Sequence, residues 1–208
     1  MTARLEMRQA IRRRLGDTGL DPVWDDAFLN DAINEAVRRY STRIPRQVST
    51  TIAVTVGDRE LTIPPTVNAM KVVRLFDDLG ELWRYWSNTK SLPPSPIGRP
   101  GNEFLWRAWA GELLLDTPAP RTGFWRVEHE AHRVVPVDDV TPMDFQVGDD
   151  DLIIANALAV SLNRRAIQDG KRYTGKSGVH PMAAAARIAQ NDADRLFGNR
   201  LRAVRVTT

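Results

Sequence analysis

Trp24-Asp25-Asp26-Ala27-Phe28-Leu29-Asn30-Asp31-Ala32-Ile33-Asn34-Glu35-Ala36-Val37-Arg38-Arg39-Tyr40 decides how the chain is read. With Asp25 as N-cap, Trp24 falls at N′ and Leu29 at N4, the spacing of a hydrophobic staple. Phe28, Leu29, Ala32, Ile33, Ala36, Val37 and Tyr40 then form a broad apolar stripe, and Asn30, Asp31, Asn34, Glu35, Arg38 and Arg39 take the other face. Such a stripe must be buried against other elements. Pro45 ends the helix, because proline cannot continue its hydrogen-bond ladder.

Upstream, Met7, Ile11 and Leu15 recur at i+4 and predict a first helix, with Thr2 as its cap and Gly16 as a left-handed stop. Downstream the period changes. Ile52, Val54 and Val56 alternate with small or polar residues, Gly57-Asp58 offers a two-residue turn, and Leu61 and Ile63 continue on an expected return strand. Further strands are expected over Lys71–Phe76, Glu81–Trp86, Phe104–Trp109, Glu112–Leu115 and Phe124–His129, with turns at Asp77 to Gly80 and at Ala110-Gly111. Short links between them predict an antiparallel sheet or small barrel. Residues 91–101, with Pro93, Pro94, Pro96 and Pro100, are expected to project as an extended loop.

Helical character returns at Asp149-Asp150-Asp151, three carboxylates suited to a helix N-terminus. Leu152 to Leu162 is apolar on nearly every side and predicts a buried helix ending at Gly170. A last helix is expected from Pro181 to Phe197, with Gly198 as its stop. The fold class that follows is α+β. N-terminal helices (1–48) and C-terminal helices (148–198) pack as a bundle, a β module (49–147) is inserted between them, and a basic extended tail (199–208) follows.

Composition narrows the function. There is no cysteine, so disulfides, thiolate nucleophiles and thiolate zinc sites are excluded together. No apolar run approaches the roughly 18 residues of a membrane span, and the Arg-rich start does not read as a signal peptide. The net charge is +3, and the excess sits at the end. Residues 195–208 hold Arg195, Arg200, Arg202 and Arg205 and no acid.

Three features resemble chemistry. Gly170-Lys171-Arg172-Tyr173-Thr174-Gly175-Lys176-Ser177 fits the phosphate-loop pattern GxxxxGK[ST], in which Lys176 would neutralise a phosphate and Ser177 would hold magnesium. Its context is wrong, because such a loop follows a buried strand and opens a helix directly. A basic interhelical loop is the better reading, with nucleotide or nucleic-acid binding as the alternative. Glu128-His129-Glu130-Ala131-His132 suggests a metal site, but on a strand His129 and His132 point to opposite faces. His180 precedes the last helix. Asp77-Asp78 and Asp138-Asp139 lie beside turn residues, where Asp bonds the backbone. No catalytic set, metal site or cofactor site is expected.

The six tryptophans are more informative. Trp24 belongs to the staple. Trp83 and Trp86 are three apart, as are Trp106 and Trp109, so on strands one of each pair faces each side. Their rings make Trp83, Trp86, Trp106 and Trp109 candidates for a subunit or tail interface. Acids outnumber basic residues over 49–148, 13 against 10, which disfavours a groove that tracks phosphates.

The pattern Trp24-Asp25-Asp26-x-x-Leu29-Asn30-Asp31-Ala32-Ile33-Asn34-Glu35-Ala36-x-Arg38-x-Tyr40, followed by Pro45, resembles the opening of the head-to-tail adaptor proteins of tailed phages, also called head-completion or tail accessory proteins. The order of helix pair, strand insertion, helices and basic end is similar too. The resemblance implies a structural protein of the virion neck, assembled in the host cytoplasm. It implies a ring, usually of twelve copies, that sits beneath the portal protein, joins it to a downstream tail or neck protein, and lets genomic DNA pass without sequence-specific contact. Arg200, Leu201, Arg202, Val204, Arg205 and Val206 would dock on the portal, while Trp24, Asp25, Leu29, Ile33, Ala36 and Tyr40 would hold the fold. Another ring-forming tail-completion or gatekeeper protein would fit the same pattern.

Overall fold

A computed structural model describes residues 2–86, 104–170 and 181–206, with side chains to residue 169 and from Pro181 to Leu201. The chain divides into two compact units, Met1–Ile44 with His132–Thr208, and Pro45–Ala131. The class is α+β, with helices from both chain ends in one unit and strands in the other. The strand unit is narrower than the expected span 49–147. It opens at Pro45, directly after the second helix, and the segment after Ala131 belongs to the helices.

The helical unit contains α1 (Arg4–Leu15), α2 (Asp26–Arg43), α3 (Asp150–Gly170) and α4 (Pro181–Val206). Asp25 caps α2 by accepting from the Phe28 N–H at 2.6 Å. Trp24 and Leu29 are both buried in one apolar cluster with Ile33, Val37, Tyr40, Ile153 and Phe197. The staple therefore closes as its spacing requires. Gly16 takes the left-handed conformation at φ 70°. Thr2 does not cap α1. The N-cap is Ala3, whose N–H donates to Glu6 Oε2 at 3.0 Å, while the Thr2 hydroxyl bonds to Asp150 instead. Helix α3, apolar on most sides, packs against the other three helices.

Residues 133–149 form a strap across this unit. Arg4 donates to the carbonyls of Pro136 and Val137, and Arg8 forks onto Asp139 at 2.9 and 2.6 Å. Arg133 closes the strap at the other end. Its Nε donates to the Ile44 carbonyl at 3.0 Å, and its backbone N–H donates to Ser41 Oγ at 2.7 Å.

Gly198 does not stop α4. The helix runs on to Val206, so the expected extended tail is helical as far as the backbone is described. Glycine inside a helix costs only about 1 kcal/mol relative to alanine. Phe197 on one side is fully buried, and Arg200 on the other is bonded to Asp149. Two such anchors outweigh the glycine.

In the strand unit the described residues form a curled seven-stranded sheet in the order β1-β7-β3-β4-β5-β6-β2. The strands are β1 (Arg46–Val54), β2 (Glu60–Leu61), β3 (Val72–Phe76), β4 (Leu82–Tyr85), β5 (Leu105–Trp109), β6 (Glu112–Leu115) and β7 (Gly123–Ala131). Two expectations are corrected. The turn at Gly57 exists, with φ 94°, but its flanking strands do not pair, since β1 joins β7 and β2 joins β6. A close turn therefore did not fix the pairing; β7 offers β1 a nine-residue ladder, whereas β2 is two residues long. Nor is the sheet wholly antiparallel, because β4 and β5 run parallel, with Arg84 beside Leu105 and Tyr85 beside Trp106. The connection between them is long enough for the crossover that parallel strands need. The Ala110-Gly111 turn between β5 and β6 is as expected, with both residues at positive φ, 51° and 93°.

Candidate interaction surfaces

The acidic run at the start of α3 is divided among three tasks. Asp151 pairs with Arg14 at 2.5 Å, and Asp150 accepts from Thr2. Asp149 is buried and accepts from the Tyr40 hydroxyl at 2.6 Å and from Arg200 Nε at 3.0 Å. Arg200 also donates to the Gln146 side chain, whose backbone N–H donates to the Tyr40 oxygen at 3.3 Å. Burial and the bond to Asp149 push the Tyr40 phenol up to about 12, against the opposing bond from Gln146. Around this knot, Arg43 stacks on Phe197 at 4.5 Å and pairs with Asp194 at 2.9 Å. The Gln190 and Arg43 bonds hold the Asp194 carboxyl below its usual value, against partial burial. Thus α2, the strap, α3 and α4 meet at one polar cluster that fixes where the last helical turns leave the unit.

Of the six residues expected to form the docking end, only Arg200 and Leu201 have described side chains. Arg200 is half-buried in the knot, and Leu201 is exposed. Positions 202, 204, 205 and 206 lie on helical backbone.

The tryptophans separate as a two-residue period requires, but not all toward an interface. Trp83 and Trp106 are fully buried inside their own unit. Trp83 stacks on Phe104 at 4.7 Å and tilts against Trp125 at 4.8 Å, and the Trp106 indole N–H donates to the Trp83 carbonyl at 2.9 Å. The expectation that these two face a partner is therefore corrected, since the curl of the sheet wraps a core around them. Trp109 is 61% exposed, and Trp86 is half-buried. Phe124, at 73% exposure, was not singled out from sequence. Its neighbours Trp125 and Val127 carried the signal, because alternation along β7 puts Trp125, Val127 and His129 inside and Phe124 and Arg126 outside. Arg126 lies over the Phe76 ring at 4.2 Å on that outer face.

The features that resembled chemistry fare differently. Gly170 is the last residue of α3, so the GxxxxGKS pattern follows a helix where a phosphate loop needs a strand. Its other residues, His180 and the proline-rich stretch 91–101 lie outside the described residues. His129 is buried against Thr50 at 3.0 Å, while His132 belongs to the helical unit. Among the described residues no three His, Cys, Asp or Glu side chains cluster to hold a metal, and no helix is long and apolar enough to cross a membrane. One member of each acidic pair bonds the backbone, as turn residues do, while Asp78 pairs with Arg121 and Asp139 with Arg8. Asp77 accepts from the N–H groups of Leu79 and Glu81, and Asp138 from those of Val140 and Thr141.

In comparison with known families, residues 1–206 match the SU10 adaptor protein family. The chain belongs to the SU10 adaptor protein family. It is a phage adaptor, a structural protein of the kind that joins head to tail. The match runs through both units and through α4, so it rests on more than the Trp24–Tyr40 helix. No curated protein matches the adaptor closely enough to lend it a more specific role.

Proposed function

We propose that this adaptor forms a ring, of about twelve copies by analogy with the phage adaptors it resembles, beneath the portal protein of its phage. The ring would join the portal to a downstream tail or neck protein, surround the passing genome without reading its sequence, and assemble in the host cytoplasm. The observation that carries this reading is the family match over nearly the whole chain. A ring needs one surface of each copy to meet a different surface of the next. Exposed Trp109 and Phe124, with Trp86, supply apolar anchors on the strand unit. The acid-free end, carried on the last turns of α4 past Arg200, suits an acidic partner at the portal. In this reading Trp24, Asp25, Leu29, Ile33, Ala36 and Tyr40 hold the helical unit together.

The test is sedimentation of the purified adaptor mixed with the portal protein encoded in the same genome, beside a chain ending at Leu201. That truncation keeps the Arg200 knot and removes only what lies beyond it. A defined multi-copy complex lost on truncation supports both the ring and the docking end. A complex that survives truncation keeps the adaptor–portal contact and moves it elsewhere on the surface. No association at any stoichiometry overturns portal docking.

A further inference from the structure

The loop between α1 and α2 is held in shape while its tip stays free. Buried Asp17 accepts from the Val23 N–H at 2.8 Å and the Trp24 N–H at 3.2 Å, and it pairs with Arg12 at 3.1 Å. Pro22 fixes its own φ and restricts Asp21 before it. On this loop Leu20 is fully exposed. The Asp21 carboxylate beside it is exposed too and has no partner among the described residues. A single exposed leucine is ordinary on a protein surface. This one is displayed beside a free carboxylate, on a loop whose ordering cost is met before any contact forms.

The same helical unit carries a cleft of matching character, of about 260 Å³, between α2, α3 and α4. Ala159, Val160, Ala183 and Ala186 give it apolar walls, and the exposed residues Arg39 and Arg187 line it with amide side chains. No acid lines it among the described residues. Arg39 is engaged by Glu35 at 3.1 Å, whereas Arg187 has no partner among the described residues. An apolar cavity of about 150 Å³ admits a benzene ring, so the cleft has room for a leucine side chain. A second groove runs along the opposite side of α4, lined by Ala155, Leu158, Ala189 and Leu196. Its cations are already neutralised, Arg14 by Asp151 and Arg195 by Asp192.

We propose that Leu20 and Asp21 of one adaptor copy dock in this cleft of the next copy, Leu20 against the apolar walls and the Asp21 carboxylate on the Arg187 guanidinium. Charge selects the occupant. An acid next to a leucine meets a cleft with two cations and no acid, and a guanidinium can fork onto a carboxylate. Each copy carries both halves of the contact on different surfaces. The contact is therefore head-to-tail and repeats from copy to copy, as a ring requires and a closed pair does not. Within one copy the two halves leave each other unsatisfied, since Leu20 stays fully exposed. The inference rests on the ring reading and names one contact within it.

Charge reversal in the full chain tests it, read by sedimentation with the portal protein. Asp21→Arg and Arg187→Asp alter exposed residues without partners, so each free chain should keep its melting temperature. Either variant alone should need at least tenfold more adaptor to form the multi-copy complex, because like charges then meet at every junction. Mixed in equal amounts, the two variants should assemble as the natural chain does. In an alternating ring every junction again joins an anion to a cation, half of them the natural pair and half the reversed one. Unaltered assembly of either variant alone, or failure of the mixture, overturns the contact and leaves the ring standing. If the natural chain forms no multi-copy complex, the ring reading falls and this contact falls with it. The chain has no cysteine, so Leu20→Cys combined with Ala183→Cys gives a second readout. Oxidation of the assembled double variant should link three or more copies into a ladder, while either single variant links no more than a pair. A double variant that assembles and yields no ladder refutes the contact.

Discussion

The Tyr40 hydroxyl donates to Asp149 Oδ2 at 2.6 Å, tying the end of α2 to the residue that opens α3. The same carboxylate receives Arg200 from α4. Folding raises the Tyr40 phenol to about 12 from 10.0. Above pH 10 the unfolded chain gives up this proton while the folded chain keeps it, so stability falls as pH rises from about 10 to 12. The Tyr40→Phe adaptor should lose about 1–2 kcal/mol at neutral pH, the worth of one buried hydrogen bond to a charged group. Denaturant melts at pH 8, 10 and 11.5 should show the gap between the two proteins narrowing with pH. A constant gap would mean that the phenol does not titrate with folding.

Gly198 sits within α4, and a Cβ built there meets nothing within 4 Å. Gly198→Ala should therefore stabilise the adaptor by about 0.5–1 kcal/mol, through helix propensity and a less flexible unfolded chain. A thermal melt should rise by roughly 1–4 °C. A fall would restore the glycine to the role of helix stop.

Trp106 and Trp109 are three residues apart and should behave oppositely. Trp106→Ala empties a fully buried site and should cost about 3–5 kcal/mol in the free chain. Trp109→Ala should change free-chain stability by less than about 0.5 kcal/mol, as exposed positions usually do. If Trp109 is an interface anchor, its loss should instead weaken assembly about tenfold or more, read by sedimentation of the mixture with the portal protein.

Ala110 holds φ 51° at the turn between β5 and β6. A residue with a Cβ is disfavoured there by roughly 1–2 kcal/mol, a penalty that glycine escapes. Ala110→Gly should offset part of this and raise the midpoint of a urea melt, despite the extra freedom it gives the unfolded chain. A lower midpoint would show that the freedom costs more than the strain.

What was legible in the sequence was local. The cap at Asp25, the staple of Trp24 and Leu29, the buried character of Leu152 to Leu162, and five of the strands all follow from spacing within one element. What was not legible was decided between elements. Gly57-Asp58 signals a turn but cannot say which strand β1 will choose. Gly198 signals a stop but cannot know that Phe197 and Arg200 will be anchored on either side of it. Spacing puts one of Trp83 and Trp86, and one of Trp106 and Trp109, on each side of its strand, but cannot say which side is the core. The curl that buries Trp83 and Trp106 comes from the whole order of strands, including one parallel pair, and no window of sequence contains it. Phe124 is exposed for the same kind of reason, since alternation along β7 sets it opposite Trp125 without saying which of the two faces the core.

The Arg133 clamp on Ile44 bears on the order of folding events. The strand unit is inserted between Ile44 and His132, and Ile44 touches Arg133, the next residue, in the helical unit. Joining them across a disordered insertion of that length would cost about 4 kcal/mol in loop-closure entropy. Once β1 has zipped onto β7, Arg46 and Ala131 are already neighbours, and nearly all of that cost has been met within the insertion itself. To the helices the folded insertion then counts as a very short link. The β1–β7 ladder therefore lowers the entropy cost of bringing α1 and α2 onto α3 and α4.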